Sequence, residues 1–192
     1  YNISHEFRLR PKSIKTFPFL STVISFNYTL ETTVYLSPGI NSGLFQRIFT
    51  IRPSKFLPAG TITFYLITTG LALGQGRLRD TPKHSEQEIS LGNDPDVKFD
   101  MTSLITATQQ TPAYRQDLDV NVTLSNRKEH QHVSVTLMIN NGYRNTTLII
   151  KDQSSSNIEI TQDPNNRAML IIRAKLPPNQ NETCIFAVKQ LS

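Results

Sequence analysis

Apolar and polar residues alternate along most of this chain, and a period of two belongs to a strand with one face buried. The alternation runs from Thr22 to Leu30, Thr33 to Leu36, Phe45 to Ile51, Thr61 to Ile67, Glu88 to Leu91 and Val97 to Met101. After Thr108 to Ala113 it resumes, from Asp117 to Leu124, Val133 to Ile139, Thr146 to Lys151, Ile158 to Ile160, Ala168 to Ala174 and Cys184 to Gln190. These runs are rich in Val, Ile, Thr, Phe and Tyr, the residues that suit a pleated, half-buried surface. No segment of ten residues keeps a 3.6 period with caps, so the chain is expected to be all-β.

Short strands spaced by turn residues every eight to twelve positions predict antiparallel sandwiches. The chain of 192 residues, 38% of them hydrophobic, is expected to form two such domains, 1–112 and 113–192. The second packs six or seven strands into about 80 residues, the strand count of an immunoglobulin-like sandwich. Its expectation rests on strand spacing alone, because the inter-sheet cystine and buried tryptophan are absent: one cysteine and no tryptophan occur in the chain. Cys184 shares a strand face with Phe186 and Val188 and is expected in the core as a small hydrophobe. Leu71 to Leu78 reads as a strand carrying Gly74 and Gly76, with Gly70 just before it. No Lys-Ser/Thr pair follows as in a phosphate loop, so bulges or close packing explain these glycines. The polar stretch Pro82 to Gln87 reads as a loop.

Asn-x-Ser/Thr acceptors occur at Asn2, Asn27, Asn121, Asn145 and Asn181, five where fourteen asparagines predict roughly three by chance. Asn145 and Asn181 follow turn signals and are expected at loop tips. Glycosylation at these positions implies secretion through a eukaryotic pathway, and an extracellular or cell-surface location. The start at Tyr1 matches a mature product freed of its signal peptide, though a chain bounded for another reason would begin the same way. No run of about 18 apolar residues is present, so no membrane insertion is expected.

The charge pattern excludes more than it suggests. Twenty Lys and Arg against 15 Asp and Glu give +5, but no block of like charges appears, so no nucleic-acid partner is expected. His130 and His132 lie in a loop or strand start and on a strand would share a face, yet they lack two further ligands nearby and read as solvated residues. Asn93, Asp94 and Asp96, with Asp100 beyond, offer oxygens to a hard cation, but the spacing is not that of a calcium loop and Asx-Pro-Asx makes a turn unaided. No catalytic set, cofactor motif or metal site is recognised, and an enzyme is not expected.

At the amino terminus Tyr1, Ile3, His5, Phe7 and Leu9 occupy one face of an extended segment that Pro11 ends. This segment is either the first strand of its own sandwich or a strand donated to a neighbouring copy. Donation repeated head to tail does not close, and makes a filament.

Phe56 to Tyr65, then Gly74 to Leu78, and then Ile89 to Phe99 with its Leu-Gly-Asn-Asp-Pro-Asp-Val-Lys core form a series of turn, glycine-bearing strand and Asp-Pro segment. Val133 to Asn140, Asn141-Gly142, Thr147 to Asp152 and Leu176 to Asn179 continue it. Over about residues 40–192 the chain resembles the carboxy-terminal β domain of the mucoidy-inhibitor-A-like proteins, with Leu91 to Phe99 the most specific piece. Pro58-Ala-Gly60 and Pro178-Asn179 depart from the family's turns. The resemblance implies a β-sandwich and no catalytic residue.

The resulting expectation is a secreted, glycosylated structural protein that self-assembles, with copies of itself as partners and N-linked glycans attached. The alternative is a carbohydrate-binding or cell-surface recognition module built on exposed aromatics.

Overall fold

A computed structural model describes residues 24–65, 70, 72–109, 115–142, 145–153 and 156–191. Asn2 and the assembly strand Tyr1, Ile3, His5, Phe7 and Leu9 lie outside them. Eleven strands and no helix occur among the described residues, so the all-β expectation holds and no helix there is long and apolar enough to cross a membrane.

The strands are β1 (Ser25–Tyr35), β2 (Gly39–Arg52), β3 (Gly60–Tyr65), β4 (Ala72–Leu78), β5 (Gln87–Gln109), β6 (Arg115–Asn126), β7 (Val133–Asn140), β8 (Asn145–Gln153), β9 (Ile158–Gln162), β10 (Met169–Leu176) and β11 (Gln180–Leu191). Nine form one sheet in the order β8-β11-β6-β5-β2-β1-β7-β10-β9, and β3 and β4 form a separate hairpin. The three strands from the first part of the chain therefore sit in the middle of the sheet, with three later strands on either side. The segment where a domain boundary is expected separates β5 from β6, which are antiparallel neighbours. On the other side β1 pairs β7 in parallel, Leu30 opposite Val135 and Val34 opposite Ile139.

The sheet does not lie flat. β10 comes close to β6 and β11, and β9 to β8, strands far apart in the pairing order. Gln162 Nε2 on β9 donates to the Thr146 carbonyl on β8 at 3.2 Å, joining the two outer strands. The inward residues of both flanks share one core: Leu118, Val120, Val122 and Leu124 from β6 and Cys184, Phe186 and Val188 from β11 meet Val133 to Ile139 of β7 and Leu170 to Leu176 of β10. Cys184 is fully buried, as its alternation implies, and burial pushes its thiol up to about 12. Strict alternation dictates this face; β7 buries Val133, Val135, Leu137 and Ile139 and turns the residues between them away.

A smaller core lies under the β3–β4 hairpin, where Phe49, Ile51, Leu57, Ile89 and Leu91 meet Ile62, Phe64, Leu73 and Leu78. The glycines of β4 explain how closely the hairpin settles. A Cβ on Gly76 would run into Ile89 Cγ2, and one on Gly74 would stand 3.2 Å from the Leu91 carbonyl oxygen. Close packing is thus the physical reason for both residues.

Glu88 to Leu91 and Val97 to Met101, read separately from sequence, belong to the single strand β5. Gln46 pairs with Asn93 while Leu44 pairs with Lys98, so β5 bulges between them, and Gly92 at φ 84° begins the irregularity. Likewise Thr22 to Leu30 and Thr33 to Leu36 merge, over the described residues, into β1.

Candidate functional site

The β5 bulge turns Asp94 inward, and its carboxylate is fully buried. Asp94 Oδ1 accepts from the Asp96 amide at 3.1 Å, the Asx turn expected of this segment. Asp94 Oδ2 receives Lys128 Nζ at 2.8 Å, Arg47 Nε at 3.2 Å and the Tyr28 hydroxyl at 3.3 Å. Arg47 also reaches the Leu73 carbonyl on β4 at 3.4 Å. One carboxylate thereby links β1, β2, β4, β5 and the β6–β7 loop, at the level where Tyr28 touches both cores.

Burial alone would raise the Asp94 carboxyl. The hydrogen bond from Lys128, the Asp96 amide, the Lys128 charge and Arg47 outweigh it and hold the group below its ordinary value. Burial and the neighbouring Asp94 charge push the Tyr28 phenol up to about 12 against the opposing Arg47. Both groups thus keep one protonation state through the neutral range. The cluster is a closed structural tie: both Asp94 oxygens are occupied by protein donors, and Asp100 bonds Lys98 at 2.6 Å.

Beside it, Asn126 Nδ2 donates to the carbonyls of Gln131, Leu176 and Pro177, and its Oδ1 accepts from the Lys128 amide. This pins the loop that carries Lys128. His130 and His132 are exposed in that loop rather than on a strand. Among the described residues no three His, Cys, Asp or Glu side chains gather as metal ligands.

The acceptor asparagines lie elsewhere. Asn27 on β1, Asn121 on β6 and Asn181 on β11 are exposed and face away from the cores. Asn181 sits within β11 rather than on the loop before it, and Asn145 is the first residue of β8. In a strand, residues two apart share a face, so each of the three exposed asparagines projects beside the threonine of its own acceptor triplet. Thr29 bonds Glu31 at 2.9 Å, and Thr123 and Thr183 lie opposite each other with hydroxyls 3.3 Å apart. Asn121 and Asn181 therefore occupy one outer face on adjacent strands.

The opposite flank differs. A groove of about 700 Å3 crosses the outer face of β1, β7, β10 and β9, lined among others by Thr29, Glu31, Thr136, Glu159, Arg173 and Lys175. Its charges are mixed, and Val135, Ile158 and Ala174 line it beside the polar side chains. Among the described residues the exposed aromatics are Phe26, Tyr35, Phe56 and Tyr65.

The sequence reading missed the ion cluster because its other side chains lie 34 to 66 positions from Asp94. One signal was available: Arg47 falls on the same strand face as Phe45, Phe49 and Ile51, and a charge in an apolar row implies a buried partner. No protein-family model matches the chain, and no curated protein matches it.

Proposed function

We propose that this chain is a secreted, N-glycosylated structural protein that assembles with copies of itself outside the cell or at its surface. One observation carries the reading: Asn27, Asn121 and Asn181 are exposed strand residues, each with its acceptor threonine on the same face. Asparagine is depleted in strands, and its turn-capping chemistry has no use there. A role in modification gives these positions a reason that local structure does not.

Assembly proceeds by donation of the segment Tyr1 to Leu9 to a neighbour's sheet. Sheet edges among the described residues support this: there β3 pairs with β4 alone, and Ser25 to Thr29 of β1 pair with β2, since β7 joins at Leu30. An added extended segment gains main-chain hydrogen bonds at such an edge. The described core favours reading β6, β8 and β11 against β7, β9 and β10 as an immunoglobulin-like sandwich, in keeping with the resemblance to the mucoidy-inhibitor-A-like β domain. The central strands β5, β2 and β1 belong to the amino-terminal unit 1–112 and pair with it at β6 and β7.

Protein secreted from eukaryotic cells should carry glycans by native mass spectrometry and form polymers in negative-stain images. Removal of residues 1–10 should leave folded, glycosylated monomers. A wild-type chain that stays monomeric over a wide concentration range refutes self-assembly, and one without glycans refutes the secretory route. Carbohydrate recognition is the second reading, favoured by exposed Phe26, Tyr35, Phe56 and Tyr65. A glycan array without a hit removes it.

A further inference from the structure

The outer face of β5, β6, β11 and β8 is unusually apolar around one acceptor. Asn121 lies between Thr102 of β5 and Ile185 of β11, and the Thr102 partner on β2 is Ile40, 85% exposed. One row further, Asp119 lies between Leu104, 64% exposed, and Ala187, whose partner on β8 is the exposed Ile149. Thr102, Leu104, Asp119, Asn121 and Ile185 border an open depression of about 220 Å3. Exposed aliphatic side chains gathered around one acceptor on one sheet face favour a cover.

Resting on the glycoprotein reading above, we infer that the cover is the N-glycan of Asn121 itself, its first sugar lying in the depression against Leu104 and Ile185. Asn121 is part of the wall, so a sugar joined to its Nδ2 starts in place, with no association entropy to lose. A sugar presents C–H faces to the two aliphatic side chains and keeps its hydroxyls in water. A second protein sheet is a poorer occupant. It would strip water from the Lys151–Asp119 and Lys98–Asp100 pairs, each 2.6 Å long and partly exposed on this face, and desolvating charges is costly. Asn181 lies beside Ser125 and Lys98, with the exposed Leu44 only one strand further out, and has the same acceptor chemistry without an aliphatic neighbour on the adjoining strand. It serves as the internal control.

The test uses the full chain secreted from eukaryotic cells, as wild type, Asn121→Gln and Asn181→Gln. Glycopeptide mass spectrometry reads occupancy, and anilinonaphthalene sulfonate fluorescence with light scattering reads exposed apolar surface. Asn121 should be occupied. Asn121→Gln should raise dye fluorescence several-fold and scatter at lower protein concentration, Asn181→Gln should match wild type, and adding Leu104→Ser to Asn121→Gln should reverse both rises. Enzymatic deglycosylation of the folded wild type should reproduce the rise without requiring a variant to fold. The inference is overturned if Asn121 is bare while other acceptors carry glycans, or if it is occupied and the two asparagine variants behave alike. A glycosylated wild-type dimer that Leu104→Ser dissociates also overturns it, by placing a second copy on the face. Absence of glycan from every acceptor instead defeats the glycoprotein reading on which it rests.

Discussion

The core between the two flanks of the sheet and the core under the β3–β4 hairpin differ in how much of the chain they draw together. The first is largely aliphatic and draws on eight of the nine sheet strands, so nearly every contact joins residues distant in sequence. The second is smaller and is confined to residues 24–91, with an aromatic centre: Phe49 stands 4.5 Å from Phe64, 5.0 Å from Tyr28 and 5.5 Å from Phe26, ring centre to ring centre, under a hairpin that glycine lets approach. Between them runs the Asp94 tie. The large core is shared across the sheet, whereas the hairpin covers one part of its surface. The two should therefore share one global transition while differing in local opening.

The largest expected effect breaks the main core. Phe186→Ala removes a fully buried ring from β11, and a cavity of that kind costs about 3–5 kcal/mol. Denaturant unfolding followed by far-ultraviolet circular dichroism should show one transition at a lower midpoint with unchanged slope. Two separated transitions would show the hairpin core standing without the larger one.

Asp94→Ala comes next, at about 3 kcal/mol, because Arg47 and Lys128 are left partly buried without their counter-charge. The same group sets an acid limit. Its folded value is below the ordinary 3.8, so its stabilisation is complete above that pH and is lost as pH falls through the lower folded value. Wild type should lose stability over that interval, and Asp94→Asn should show a flatter profile there. Equal slopes would mean that the tie contributes nothing.

Much of this architecture is legible in the alternation, and the remainder is not for definable reasons. Val133 to Ile139 and Cys184 to Val188 announce their buried faces because every second residue is apolar. Gly74 and Gly76 sit on a strand where side chains would be expected, which points to close approach. The β1–β7 pairing leaves no local mark: parallel partners about a hundred positions apart share no turn to reveal them. The β5 bulge reads as two strands because Asn93 to Asp96 carries turn chemistry, and tertiary contacts to Arg47 and Lys128 hold it within a strand. Of the acceptors, spacing alone identifies all five, but only the register shows that Asn121 stands among aliphatic neighbours while Asn181 does not.

Gly76→Ala sharpens the comparison from the side of the hairpin. The added methyl meets Ile89, and overpacking of this type costs about 1–3 kcal/mol. The cost should be local. Amide exchange should speed up in β3 and β4 while β6, β7, β10 and β11 keep the protection of the global transition. Uniform acceleration would mean that hairpin and sheet open together.

The smallest effect tests whether the Asp94 tie owes its strength to burial or merely to charge. Lys151 Nζ meets Asp119 at 2.6 Å, shorter than any bond to Asp94, but both side chains are more than a third exposed. Water and salt screen such a pair, and two flexible side chains lose entropy to form it, so Lys151→Met should change stability by less than about 1 kcal/mol. That small difference should vanish in high salt, whereas the Asp94→Ala penalty should persist because solvent ions do not reach a buried carboxylate. If the two penalties were equal and equally salt-sensitive, position in the fold would not be what separates them. The junction between the two cores would then be no more than another surface pair.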